Sequence, residues 1–325
     1  MTQNSQIDKK TIDTKPVEQQ TIERQRRRRK IKKRREIFLN WLTFIIIGFF
    51  ALVFLMPTVL TITNSFMSTT EISANYGQIF SNATSDSKTF ISEKVNLKFI
   101  PDMVSFGQYK TAFITSPAYL LKFWNSVILT VPIVIGQIIV AAGASYCFAR
   151  NRSKLSNAIF FIYIILMLMP YQVTLVPNYL VAEWLHLLDT RWSIILPGIF
   201  APFAVFILAK FMRRIPTAVV EAAKLDGANE FQIFTRIFMP LCKGTIYSVA
   251  ILVFIDYWNM VEQPLIMLSD SETHPLSVFL SKVNTSDAGL AFAVATVYMI
   301  PTLLVFLYSE DYLVEGIAYS GGIKG

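Results

Sequence analysis

Glu221–Pro240 reads EAAKLDGANEFQIFTRIFMP, and this stretch is too polar to enter a bilayer although apolar segments flank it on both sides. Pro216 suits the first turn of a helix, and Gly227 suits a helix end that needs left-handed backbone. The pattern predicts one short helix over 217–226. A second is predicted to begin after Asn229, a good N-cap, and to be stopped by Pro240. Phe231, Phe234 and Phe238 recur at helical spacing, with Glu230, Gln232 and Arg236 on the other side. The segment therefore reads as an amphipathic helical hairpin able to dock on another protein.

The rest of the chain places that hairpin at a membrane. Of 325 residues, 53% are apolar and only 16% charged, values that leave soluble-domain composition in the direction of a membrane protein. The net charge of +8 is an artefact of averaging: ten of the twelve residues in RQRRRRKIKKRR, Arg24–Arg35, are basic, and outside that run the chain is slightly acidic. The basic run fits retention of a segment on the cytoplasmic side, helped by anionic lipid headgroups, better than it fits nucleic acid. The apolar stretch after it is too long for a secretory leader. Cys147 and Cys242 fall near expected cytoplasmic span ends, so no disulfide framework is predicted.

Six spans near the ~20 residues required can be drawn, at 37–62, 124–149, 158–176, 192–212, 245–268 and 290–308. Basic residues fall on one side of them, at Arg24–Arg35, Arg150, Arg152, Lys154, Lys210, Arg213 and Arg214, whereas the short opposite loops hold only Arg191 and Lys282. Both termini and the hairpin are then cytoplasmic. Trp41, Trp124 and Trp192 suit the interfaces, and Ala141-Ala142-Gly143-Ala144-Ser145 suits close helix approach. Pro132, Pro170, Pro177, Pro197, Pro202 and Pro301 are expected to interrupt or bound helices. The external stretch 63–123 is long, with enough apolar islands to fold in part.

No GxxxxGK[ST] occurs, so the chain itself is not expected to bind or hydrolyse ATP, and no GxSxG elbow points to an esterase. His186 and His274 belong to no ligand cluster, so no metal site is predicted. The chain reads as a non-enzyme that takes its energy from a partner. Polar residues within spans are the remaining candidates. Asp256 is expected midway along the fifth span, where an isolated carboxylate costs about 2.5–3.5 kcal/mol on insertion scales. It should face a watery path or a helix partner. Tyr257, Trp258 and Asn259 beside it offer flat rings and hydroxyl-binding groups suited to a sugar, and Glu262 and Gln263 continue outward. Gln172, Thr174 and Asn178 near the external end of the third span, and Gln137 in the second, serve either as ligand contacts or as helix–helix hydrogen bonds.

The spacing of Glu221-Ala222-Ala223, Gly227, Ile237 and Pro240 resembles the coupling-loop signature of permeases of ABC importers, with Met239 where leucine is usual. MPYQVTLVPNYL at 169–180, LLDTRWSIILPGIFAPFAVFILAKFM at 187–212, WNMVEQPLIML and the ending GIAYSGGIKG are similar to the branch that imports maltose and other oligosaccharides. The resemblance spans 124–325.

It implies an all-α polytopic membrane protein with the type I importer permease fold, six transmembrane helices and a cytoplasmic coupling hairpin. Outside the resemblance, composition and hydropathy predict a disordered polybasic tail at anionic lipids over 1–36, the first span at 37–62 and an external loop at 63–123. Residues 124–310 would form the permease core, with the coupling loop at 213–243, and 311–325 a cytoplasmic tail. The resemblance also implies residence in a bacterial cell membrane with a second, homologous permease, an ABC ATPase dimer that carries the ATP and magnesium, and an extracellular binding protein that delivers a sugar. Glu221, Ala222, Ala223, Asp226, Gly227, Ile237 and Pro240 would make the ATPase contact; Asp256, Tyr257, Trp258, Asn259, Gln172 and Asn178 would line the pathway. The loop at 269–288 would meet the binding protein, and the last ten residues would reach toward the ATPase. The same class carrying a phosphorylated polyol, a secondary transporter and a membrane scaffold are the alternatives.

Overall fold

The computed structural model describes residues 17–75, 98–282 and 288–321, and among them there is no strand. The chain divides into two units, residues 1–59 and 60–325. Helix α1, Val17–Asn64, makes up the described part of the first unit. Its stretch Arg35–Asn64 is long and apolar enough to cross a membrane. The expected disordered tail over 1–36 is corrected from Val17 onward, where the basic run is helical. Arg, Lys, Glu and Gln are good helix formers, and a turn added to an existing span avoids the cost of nucleation. Residues 1–16 lie outside the described residues.

In the second unit the central element is α2, Ala118–Arg150. Lys154–Leu168 (α3) and Tyr171–Trp184 (α4) follow, bent by 105° at Met169–Pro170. Trp192–Ile199 (α5) and Pro202–Met212 (α6) are separated by a break at Phe200–Ala201. After Thr217–Leu225 (α7), the run Glu230–Leu241 (α8) meets Lys243–Trp258 (α9) at 73°. Glu262–Met267 (α10), Leu276–Ser281 (α11) and Ala288–Gly321 (α12) complete the unit. Four described segments are long and apolar enough to span, six if each bent pair counts as one. That matches the six drawn from sequence in number, but the second bent pair takes in Glu230–Leu241 of the hairpin in place of the outer part of 245–268.

The third and fifth segments differ from their predicted continuous helices. Of the six prolines expected to mark interruptions, Pro170 and Pro202 stand at breaks, whereas Pro132, Pro177, Pro197 and Pro301 sit inside helices. Membrane helices tolerate proline where neighbours satisfy the freed carbonyl. The fifth segment breaks after Trp258, so Asp256 sits in the last turn of α9 and not at the middle of a span. Helix α12 runs on to Gly321 through the segment expected as a separate tail.

The second segment packs through small residues. A Cβ on Gly136 would stand 2.7 Å from Ile199, and one on Gly198 would stand 2.9 Å from Ile133, so α2 and α5 interlock through two reciprocal glycine–isoleucine contacts. Further along α2, Ala141 and Ala142 are buried and Ser145 Oγ donates to the Val205 carbonyl at 2.9 Å, as close approach requires. Gly143, within the same small-residue stretch, faces open space and takes no part.

The stretch expected to be external is folded where it is described, over 63–75 and 98–123. Glu71 Oε1 accepts the Asp102 backbone N–H at 2.8 Å and pairs with Lys98 at 3.0 Å. Ser105 N–H bonds the Phe66 carbonyl at 2.8 Å, and the rings of Phe66, Phe106 and Tyr109 cluster. Gln108 is buried against Gly289 at the start of α12, where a Cβ would meet its Nε2 at 2.5 Å.

These contacts predict that Gly136→Val is overpacked and loses about 1–3 kcal/mol, whereas Gly143→Val is close to neutral. Thermal unfolding of the detergent-solubilised protein, followed by size-exclusion fluorescence, separates the two; equal midpoints would contradict the interlock.

Candidate functional site

The three breaks converge. The turns at Met169, Phe200–Ala201 and Asn259–Val261 all line one groove of about 960 Å³. The break at Met169–Pro170 is bonded locally, Met169 N–H to the Leu166 carbonyl at 3.3 Å and Val173 N–H to that of Pro170 at 3.0 Å, whereas the other two also draw on distant side chains. Pro202 and Pro264 carry no N–H to return to the carbonyls of Gly198 and Met260. Ala201 N–H bonds the Gly198 carbonyl at 3.2 Å, and Ser277 Oγ donates to the Met260 carbonyl at 2.5 Å. From α2, Gln137, 1% exposed, sends Nε2 to the Ala201 carbonyl at 3.4 Å. Tyr298 Oη from α12 bonds the Trp258 carbonyl, and Trp258 Nε1 returns a bond to the Tyr298 carbonyl at 3.2 Å. Gln137 therefore acts as helix–helix bonding, one of its two sequence readings.

Five of the six pathway candidates reach the groove: Gln172, Asn178, Asp256, Tyr257 and Asn259. Trp258 does not, and its assignment is corrected. It is 1% exposed, stacked between Phe254 and Tyr298 with ring centroids 5.3 Å away on each side, while Phe123 meets it edge-on. Successive residues at a helix end point about 100° apart, so Asp256 and Trp258 cannot both face one groove. Asn259 is at the groove but occupied. Its Nδ2 donates to the Ile255 carbonyl at 2.8 Å and its Oδ1 accepts from Tyr298 Oη at 3.2 Å, so it holds the helix end.

Tyr171 and Phe200 add flat surfaces that sequence reading did not single out; their positions beside Pro170 and Pro202 were the available signal. Gln172 Nε2 lies 3.3 Å from Glu262 Oε2 across the groove. Asp256 and Glu262 contribute carboxylates to the lining, and no Lys, Arg or His is among its described residues. The lining mixes amide, hydroxyl and carboxylate groups with apolar and aromatic side chains. Beyond it, Asp189, in left-handed backbone at φ 61°, accepts the Ser269 N–H at 2.6 Å. That bond ties α10 to the turn before α5 and holds the Asp189 carboxyl below the usual carboxylate range. Of the two histidines, His274 is buried with Nε2 at 2.8 Å from the Leu268 carbonyl, and neither belongs to a metal-ligating group among the described residues.

The hairpin forms at the far end of α2. Gly227 takes φ +83°, and Asn229 with Gln232 makes a reciprocal capping box at 2.8 and 2.9 Å. Pro240 does not stop the second helix, which continues to Leu241. A π turn over Phe234–Phe238, closed by Met239 N–H on the Phe234 carbonyl, widens the helix just ahead of the proline ring. The π turn also changes the buried face. Ile233 and Phe238, five apart, are buried with Val220, Ala223 and Cys242, whereas Phe231 is 73% exposed. Glu221, Ala222, Asp226, Gly227 and Pro240 are exposed, Ile237 is half-buried and Ala223 faces the core.

The described residues thus form a helical bundle with several candidate membrane spans, an exposed hairpin at one end and a groove at its helix breaks. Residues 133–319 match the family of binding-protein-dependent transport system inner membrane components, and the chain belongs to that family. It is 27% identical to the arabinooligosaccharides transport system permease protein AraQ of Halalkalibacterium halodurans, over 91% of this chain and all of that protein. It is 31% identical to the protein of the same name from Bacillus subtilis, over 71% of this chain and 83% of that one. In structure it is similar to a bacterial ABC transporter involved in the import of the acidic polysaccharide alginate, with a TM-score of 0.69 at 22% identity, over 85% of this chain and 96% of that chain.

Open space surrounds a Cβ at Gly227, so the requirement there is backbone conformation and not room. Gly227→Val is expected to destabilise the hairpin while Gly227→Asn, which tolerates left-handed backbone, is expected to preserve it. Hydrogen exchange over 221–232 measures the difference, and equal protection in the two variants would refute it.

Proposed function

We propose that this chain forms half of the pore of an importer for neutral sugars or oligosaccharides, opposite a second homologous permease. An extracellular binding protein delivers the cargo and a separate ATPase dimer, holding ATP and magnesium, drives the cycle. The groove at the helix breaks carries this reading: side-chain amides, carboxylates and tyrosine rings meet there beside three helix breaks. The names of relatives support the cargo class, since two similar proteins are permeases for arabinooligosaccharides and a third, from Rhizobium radiobacter, for lactose. Gln172, Asn178, Asp256 and Tyr257 are the pathway residues, with Tyr171 added.

The charge of the groove separates a neutral cargo from a phosphorylated polyol. A phosphate would be drawn past Asp256 and Glu262 with no cation among the described lining residues to offset them. The hairpin, cytoplasmic by the placement of basic residues, is the ATPase contact. Glu221, Ala222, Asp226 and Gly227 form its exposed edge, while Ala223 and Ile237 hold it to the bundle. Both termini share that side, where the basic helix Arg24–Arg35 lies near anionic headgroups.

Purification of the tagged chain from its native host is expected to recover a P-loop ATPase, a second permease and a binding protein; recovery without any ATPase would overturn the reading. Cells are expected to take up labelled arabinotriose or lactose and to reject sorbitol 6-phosphate. Asp256→Ala is expected to lower that uptake about ten-fold with co-purification unchanged, and wild-type uptake would remove Asp256 from the pathway.

A further inference from the structure

The hairpin is fastened to α2 at one point of polar contact that the proposed coupling residues do not include. Glu230, the first residue of α8, sends Oε1 to Lys224 Nζ of α7 at 2.6 Å, which joins the two arms of the hairpin. Its Oε2 accepts the Tyr146 hydroxyl of α2 at 2.5 Å, and Arg150, one turn further along α2, approaches Oε1 at 3.8 Å. One carboxylate thus meets α7, α8 and α2. The Tyr146 ring also packs on Phe234 and Phe238, at 5.2 and 4.9 Å between centroids, so hydroxyl and ring grip the same helix from one position.

The value of this contact lies in its connectivity and direction more than in its stabilising energy. Glu230 and Lys224 are about half exposed, and exposed pairs contribute little to stability. Beneath it, Ile233 and Phe238 share an apolar cluster with Ala149, a contact without the directionality of a hydrogen bond. A charge-assisted, directional bond resists pulling. Beyond Tyr146, α2 is an unbroken helix, and about 13 Å along it, at 1.5 Å per residue, Gln137 holds the Ala201 carbonyl at a break of the groove. Gly136 interlocks with Ile199 beside it.

We propose that Glu230 is the positioning residue through which displacement of the hairpin reaches the groove, by way of Tyr146, α2 and the break at Phe200–Ala201. This rests on the reading of the hairpin as the ATPase contact. The link is a physical one, a continuous helix gripped near its middle and at its far end, and it makes a claim about transmission that docking alone does not.

The test uses the intact transporter complex, trapped with ADP–vanadate, with hydrogen exchange read separately at 221–232 and at 197–203. In the wild type both segments are expected to change on trapping. In Glu230→Gln, which keeps the side chain's size, and in Tyr146→Phe, which keeps the ring packing, the change at 221–232 is expected to remain. The change at 197–203 is expected to fall at least about five-fold in both. Wild-type change at 197–203 in both variants would overturn the proposal. Loss of the change at 221–232 in both would also overturn it, by making the role one of docking or folding. No change at 221–232 in the wild type would instead overturn the ATPase-contact reading and this inference with it.

Discussion

A helix in hydrocarbon cannot leave a backbone carbonyl or N–H without a partner, and this protein breaks three of its helices at the level of one groove. The rest of the structure follows from satisfying those breaks. Gln137 is buried from α2 to reach the Ala201 carbonyl, Tyr298 from α12 reaches the Trp258 carbonyl, and Ser277 from α11 reaches that of Met260. Each donor comes from a different element, so the breaks at Phe200–Ala201 and after Trp258 persist only when those elements are packed together. The groove and the bundle are one construction.

The same logic accounts for residues that look functional but are structural. Asn259 and Trp258 sit beside Asp256 in sequence and have suitable chemistry for a sugar, yet both are engaged in holding the end of α9. Asp256 is exposed at the groove, whereas Trp258, two residues on and about 200° around the helix, is turned away from it. Irregular backbone also lets Tyr171 and Phe200 present their rings where a regular helix would have turned them elsewhere.

Helix α2 connects the two ends of the second unit. Near its middle, glycine at 136 admits Ile199, and at its far end Tyr146 and Arg150 receive the hairpin. The hairpin depends on local backbone chemistry, a left-handed glycine and a capping box, and then on a π turn that rotates Phe238 into the core and leaves Phe231 outside. Short-range signals gave its two arms their positions; the packing against Tyr146 and Ala149 selected which of its phenylalanines is buried.

Much was legible before any coordinates. Apolar length and the placement of arginines and lysines gave the membrane class and the six segments, because insertion depends on summed transfer energies that composition records directly. Gly227 and Asn229 announced the hairpin because their requirements are local. The breaks were not legible in full. Pro170 and Pro202 mark two of them, but Pro132, Pro177, Pro197 and Pro301 look the same in sequence and lie within helices. The break after Trp258 has no proline at its start and depends on Tyr298 and Ser277, some 20 to 40 residues away. Sequence determined what could enter the membrane and where the chain turns by local chemistry. Only tertiary structure decided where a helix may stop inside the bundle, because a freed carbonyl is tolerable only where a distant side chain arrives to bond it.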